Sequence, residues 1–127
     1  MAVGWLEATC VFCGGGLGAV LRWIAGSLVP SAPVEAPFPW ATLAVNLVGC
    51  VAIGLLASLA VRHAWPEPVR LAILVGVLGG FTTFSTFGWE TWSLIQIGRA
   101  DLAALYVLAT NVGGVLLVIG AAALANR

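Results

Sequence analysis

A chain of 127 residues that is 61% hydrophobic and 8% charged has about a third of the charge that a water-soluble domain needs to cover itself. Five arginines, no lysine and five acids give a formal net charge of zero, which speaks against nucleic acid or any strongly charged partner. With a mean hydropathy of +1.09, the chain reads as an all-α integral membrane protein, with room for about four helices of ~20–25 residues and no soluble domain.

The amino terminus lacks a basic leading region, carries Glu7, and continues its apolar run past any plausible cleavage position. The first segment is therefore expected to be a span of the mature protein and not a signal peptide. This first span covers about residues 4–28, with Trp5 and Trp23 near its ends as interface anchors. Its run Gly14-Gly15-Gly16-Leu17-Gly18-Ala19 puts small residues at i and i+4 twice, at Gly14/Gly18 and Gly15/Ala19. That spacing lets two helix backbones approach closely in lipid. A nucleotide-binding glycine loop would need a preceding strand, which an all-helical chain does not offer. Cys10, Cys13 and Cys50 all fall in apolar stretches without an accompanying His or second pair, and are expected to be small buried thiols. Arg22 reads as a snorkelling arginine near the interface, as a cation at a pore mouth that raises local anion concentration, or as both.

A loop with Pro30, Pro33, Pro37 and Pro39, in which Glu35 is the only charge, leads to a second span over about residues 39–61. Pro39 suits the first helical position. Asn46 lies about two turns in, below the interface, where an unsatisfied amide costs several kcal/mol. It is either packing glue between helices or a ligand in a polar pathway. His63, in the short loop from Arg62 to Glu67, has no second ligand nearby in sequence and reads as an interfacial residue. The third span covers about residues 69–96, and Gly98-Arg99-Ala100-Asp101 turns the chain, with Asp101 placed to cap a fourth span over about 102–125. Tyr106 and Thr110 are four apart and are expected on one face of that span. Gly114, one turn on, leaves space beside the helix.

The third span holds the informative stretch, Gly79-Gly80-Phe81-Thr82-Thr83-Phe84-Ser85-Thr86-Phe87, with Glu90 one turn further. Two glycines and three threonines make a poor continuous helix. In lipid a backbone leaves helical geometry only where protein buries it or a watery cavity meets it. A break near Gly79 to Thr82, with helix resuming from Thr83, would place Phe84 and Phe87 one turn apart on the same side and Glu90 in the same row. An intramembrane carboxylate beside hydroxyls and a broken backbone points to an ion pathway. Ring edges, amide and hydroxyl donors suit a small anion, and unwound carbonyls suit a small cation. The residue chemistry leaves the choice of ion open.

The nine-residue stretch with Glu90 resembles the signature of the small Fluc (CrcB) fluoride channels. Gly15-x-x-Gly18-Ala19-x-x-Arg22-Trp23 and Thr42-Leu43-x-Val45-Asn46-x-x-Gly49 resemble the family's two earlier motifs, in the same order. The resemblance implies an antiparallel, dual-topology homodimer in a bacterial plasma (inner) membrane, with two fluoride pores and passive fluoride efflux as its role. It implies a structural Na+ at the dimer centre, held by the backbone carbonyls of Gly79 and Thr82 from both subunits. It places ring edges of Phe84 and Phe87 against fluoride, Asn46, Ser85 and Thr86 as polar pore or pore-adjacent groups, and Glu90 near one end of the polar track. On the fourth span it implies Tyr106 and Thr110, with a hydroxyl missing where Gly114 stands. No catalytic residues are implied. Arg62, Arg70 and Arg127 on one side against Arg99 and Arg22 on the other make a weak orientation bias, as dual insertion requires. A small multidrug transporter is the alternative for an antiparallel four-helix dimer, but it would rely on a membrane-embedded glutamate in the first helix, and Glu7 stands nearly at the surface.

Overall fold

The computed structural model describes residues 4–30 and 37–127; Pro33 and Glu35 of the proline-rich loop lie outside them. The described chain contains four helical spans, each long and apolar enough to cross a bilayer. They are α1 (Trp5–Leu28), α2 (Trp40–Arg62), a third span Glu67–Gln96, and α5 (Ala100–Ala125). The third span is broken at its centre into α3 (residues 67–81) and α4 (Phe84–Gln96). Pro39 caps α2 from just outside it and is not its first helical residue.

The sequence's small residues decide which helices touch. Gly14 and Gly18 are buried, and a Cβ added to them would stand 2.2 Å from the Ala72 carbonyl oxygen and 2.1 Å from that of Val77. Only glycine permits this contact of α1 with the backbone of α3. Residues Leu71–Val77 of α3 form a π turn, which the sequence does not signal. Its widened backbone is the part that carries the Ala72 and Val77 carbonyls onto α1. Cys10 and Cys50 are half-buried and Cys13 is exposed. The expectation of buried thiols fails for Cys13, because α1 turns only its glycine stripe inward and Cys13, the neighbour of Gly14, looks out.

The break redirects the third span. α3 packs on α1, whereas α4 packs on the first part of α5. There the apolar core gathers Phe38, Leu43, Phe87, Leu94, Ala103 and Tyr106. Large side chains such as Leu17, Val20, Leu116 and Ile119 remain exposed, as lipid-facing positions do. α4 ends at Gly98, whose φ of +79° lets the Arg99 N–H reach the Leu94 carbonyl at 2.9 Å. Asp101 does not cap α5. Its carboxylate is taken by the Arg99 guanidinium at 3.0 and 2.9 Å, an interaction that holds the pKa of Arg99 above its ordinary value.

Candidate functional site

Gly79 and Gly80 stay helical, and the backbone departs one turn later, at Thr82 (φ −82°, ψ 160°) and Thr83 (φ −148°, ψ 117°). Gly80 is there for packing: a Cβ on it would meet the Gly15 carbonyl oxygen at 2.4 Å. The break is made by side chains. Buried Asn46 donates from Nδ2 to the Thr83 carbonyl at 3.1 Å, and its Oδ1 accepts the Thr83 N–H at 2.9 Å. Thr83 in turn caps α4. Its Oγ1 accepts the Thr86 N–H at 3.3 Å and donates to Thr86 Oγ1 at 3.0 Å, and Ser85 Oγ lies 3.5 Å away.

These bonds have a consequence for two carbonyls. In an unbroken helix the Thr83 N–H would bond to the Gly79 carbonyl and the Thr86 N–H to that of Thr82. Both donors are instead taken by side-chain oxygens of Asn46 and Thr83. The Gly79 and Thr82 carbonyls thereby lose their helical partners; Gly79 is exposed and Thr82 half-buried in the single subunit. Neutral oxygens of this kind fit a hard monovalent cation. Among the described residues no group of three or more His, Cys, Asp or Glu side chains comes together to hold a metal.

A groove of about 390 Å³ opens beside the break, and Asn46, Gly79, Thr82, Thr83, Phe84, Phe87, Thr110 and Asn111 are among its walls. The Phe84 and Phe87 ring centroids are 5.5 Å apart with the planes tilted by 45°. The two rings are not equivalent: Phe84 is 79% exposed and Phe87 6%. Phe87 backs onto Tyr106 at 5.0 Å. Behind it, Glu90 is held by two hydroxyl donors, Thr42 Oγ1 to Oε1 and Tyr106 OH to Oε2, both at 2.8 Å. Thr42 and Asn46 are four apart on α2 and share a face, so one helix serves both the carboxylate and the break.

Of the residues singled out from sequence, the groove brings together Asn46, Gly79, Thr82, Phe84, Phe87 and Thr110. Glu90 and the fully buried Tyr106 form their own cluster behind Phe87. Ser85 and Thr86 are exposed on the first turn of α4, and Arg22 is half-buried on α1, away from the groove walls. Tyr106 is fully buried against Phe87, whereas Thr110 lines the groove, where a π turn over Ala109–Gly113 begins. Gly114 lines the groove, with the space expected beside it, and the Cys50 Sγ would lie 3.0 Å from an added Cβ. The sequence reading missed the bond of Thr42 to Glu90 and the capping role of Thr83. A threonine immediately before a helix restart is an N-cap signal and could have revealed the second.

The family model described as CrcB-like protein, Camphor Resistance (CrcB), matches residues 9–122. The chain is 51% identical over 106 residues to the fluoride-specific ion channel FluC of Novosphingobium aromaticivorans, covering 83% of this chain and 84% of the relative. It is 42% identical over 111 residues to the protein of the same description from a Methylobacterium species, covering 87% and 88%. The corresponding protein of Agrobacterium fabrum is 44% identical over 124 residues, covering 96% and 98%.

Proposed function

The chain belongs to the CrcB family, and from that premise we propose that it is a fluoride-specific channel that lets fluoride leave the cell passively. It is a multi-pass membrane protein and not an enzyme. The observation that carries the reading is the groove itself, in which two phenylalanines, an amide and a hydroxyl adjoin a helix break. Fluoride holds its water tightly, and moving a bare ion into low dielectric costs tens of kcal/mol by a Born estimate. A path must therefore replace that water with donors along its length. Phe84 and Phe87 offer the positive edges of their rings. Asn46 has two amide hydrogens and gives one to Thr83, so the other remains for an anion. The Thr110 hydroxyl adds a further donor.

The groove is open on one side of the single subunit. A second, antiparallel copy closes it and makes two pores per dimer. Two subunits crossing at the break bring together four freed carbonyls, from Gly79 and Thr82 of each. Those carbonyls would hold a structural Na+, which supplies positive potential beside the passing anions. Glu90, steadied by Thr42 and Tyr106, stands at one end of the path; Ser85 and Thr86 flank it, and Arg22 raises anion concentration at a mouth. Glu7, in the first turn of α1, is too shallow to serve as the buried acid of a drug exchanger. The test is ion release from liposomes loaded with potassium fluoride or potassium chloride. Fluoride release without chloride release is expected. Equal release of both, or of neither, refutes the proposal.

A further inference from the structure

Serine and threonine in a membrane helix satisfy their hydroxyls by donating to the carbonyl four residues back. Five residues here do so: Thr9, Ser58, Thr82, Thr91 and Ser93, at 2.8–2.9 Å. Ser27 donates three residues back. Thr42, Thr83, Ser85 and Thr86 bond to other side chains. Among the described residues, Thr110 Oγ1 is the one buried side-chain oxygen or nitrogen without a partner. It lies on a wall of the groove. A buried hydroxyl left unpaired costs about 1–3 kcal/mol.

Thr110 sits inside the π turn Ala109–Gly113 of α5, where the helix is locally widened. The carbonyl four residues back, that of Tyr106, already accepts the Ala109 N–H, and the Thr110 hydroxyl makes no bond to it. Asn111, the next residue, donates from Nδ2 to the Val107 carbonyl at 2.8 Å and so ties the turn to the helix before it. We infer that Asn111 is a positioning residue for the anion path: by holding the π turn it keeps the Thr110 hydroxyl off the backbone and available to the ion. This rests on the reading of the groove as the fluoride path. Asn111 itself need not touch fluoride.

The experiment measures fluoride release from liposomes for Thr110→Val, Asn111→Leu, the double variant and Asn111→Ser, each first checked as an assembled dimer by size exclusion. Serine keeps a donor that reaches the carbonyl four residues back. Thr110→Val is expected to slow release about tenfold, the loss of one hydrogen bond at the limiting step. Asn111→Leu is expected to slow it to a similar extent, to add nothing in the Thr110→Val background, and to be rescued by Asn111→Ser. Where Asn111→Leu fails to assemble, Asn111→Ala takes its place. If Thr110→Val conducts like the parent, Thr110 is off the path and the inference falls with that placement. If Thr110→Val is slow but Asn111→Leu is not, or if the two effects multiply, the path stands and the positioning role is overturned.

Discussion

Asn46 on α2 and Thr83 in the break between α3 and α4 exchange two hydrogen bonds, from Nδ2 to the carbonyl at 3.1 Å and from the N–H to Oδ1 at 2.9 Å. The amide thus stands in for the strand or helix turn that the Thr83 backbone lacks. Asn46→Leu strands the Thr83 N–H in a buried setting, at about 1–3 kcal/mol. The expected outcome is a lower unfolding temperature of the detergent-solubilised protein together with lost fluoride release. A variant as stable as the parent would show that the break holds itself without Asn46.

The phenylalanines are expected to separate stability from conduction. Phe87 is in the core at 6% exposure and packs on Tyr106, whereas Phe84 is 79% exposed. Phe87→Ile loses an aromatic pairing worth about 0.5–1.5 kcal/mol and should lower both thermal stability and flux. Phe84→Ile should leave the fold of a subunit intact and lower flux alone. Parental flux in both variants would place the anion elsewhere.

Two adjacent glycines give a sharper contrast. A Cβ on Gly80 collides with the Gly15 carbonyl oxygen at 2.4 Å, while a Cβ on Gly79 meets nothing within 4 Å in the subunit. Gly80→Ala is expected to abolish folded protein. Gly79→Ala, helical and unobstructed, gains about 1 kcal/mol of helix propensity and should fold, but crowd the face that a second copy covers. Size exclusion and flux read this directly: a Gly79→Ala protein that dimerises and conducts normally would exclude Gly79 from the subunit interface.

Sodium should matter to assembly and not as cargo. Preparing the protein with sodium replaced by a bulky organic cation is expected to reduce flux or dimer stability, and sodium should restore both. Sodium moving stoichiometrically with fluoride contradicts a structural ion, and indifference to sodium contradicts the carbonyl site.

Orientation is the remaining prediction. Three arginines, Arg62, Arg70 and Arg127, stand at one end against Arg22 and Arg99 at the other, a weak orientation bias. Reporters fused after Arg127, one active only inside the cell and one only outside, are both expected to give signal. Signal from one alone rules out dual insertion. Two or three lysines added to one side should bias the outcome.

The sequence by itself determined the class of this protein, because composition is a solvent statement: 8% charge cannot cover a soluble surface, and four apolar stretches of bilayer length have few other fates. It also determined which helix seams are tight, since Gly14 and Gly18 at helical spacing permit backbone contact and larger residues do not. That the third span breaks, ahead of a helix restart near Thr83, was readable from its residues, but what makes it break was not. Propensity pointed to Gly79 and Gly80, which the structure keeps helical because Gly80 abuts α1. The departure at Thr82 and Thr83 was decided by Asn46, a residue 37 positions away in the chain, whose amide competes for the same N–H as the Gly79 carbonyl. The two π turns, the binding of Glu90 by Thr42 and Tyr106, and the orphaned Thr110 hydroxyl were likewise fixed by tertiary contacts. Each depends on which polar groups find partners across helices, and sequence spacing within a helix carries no record of that competition.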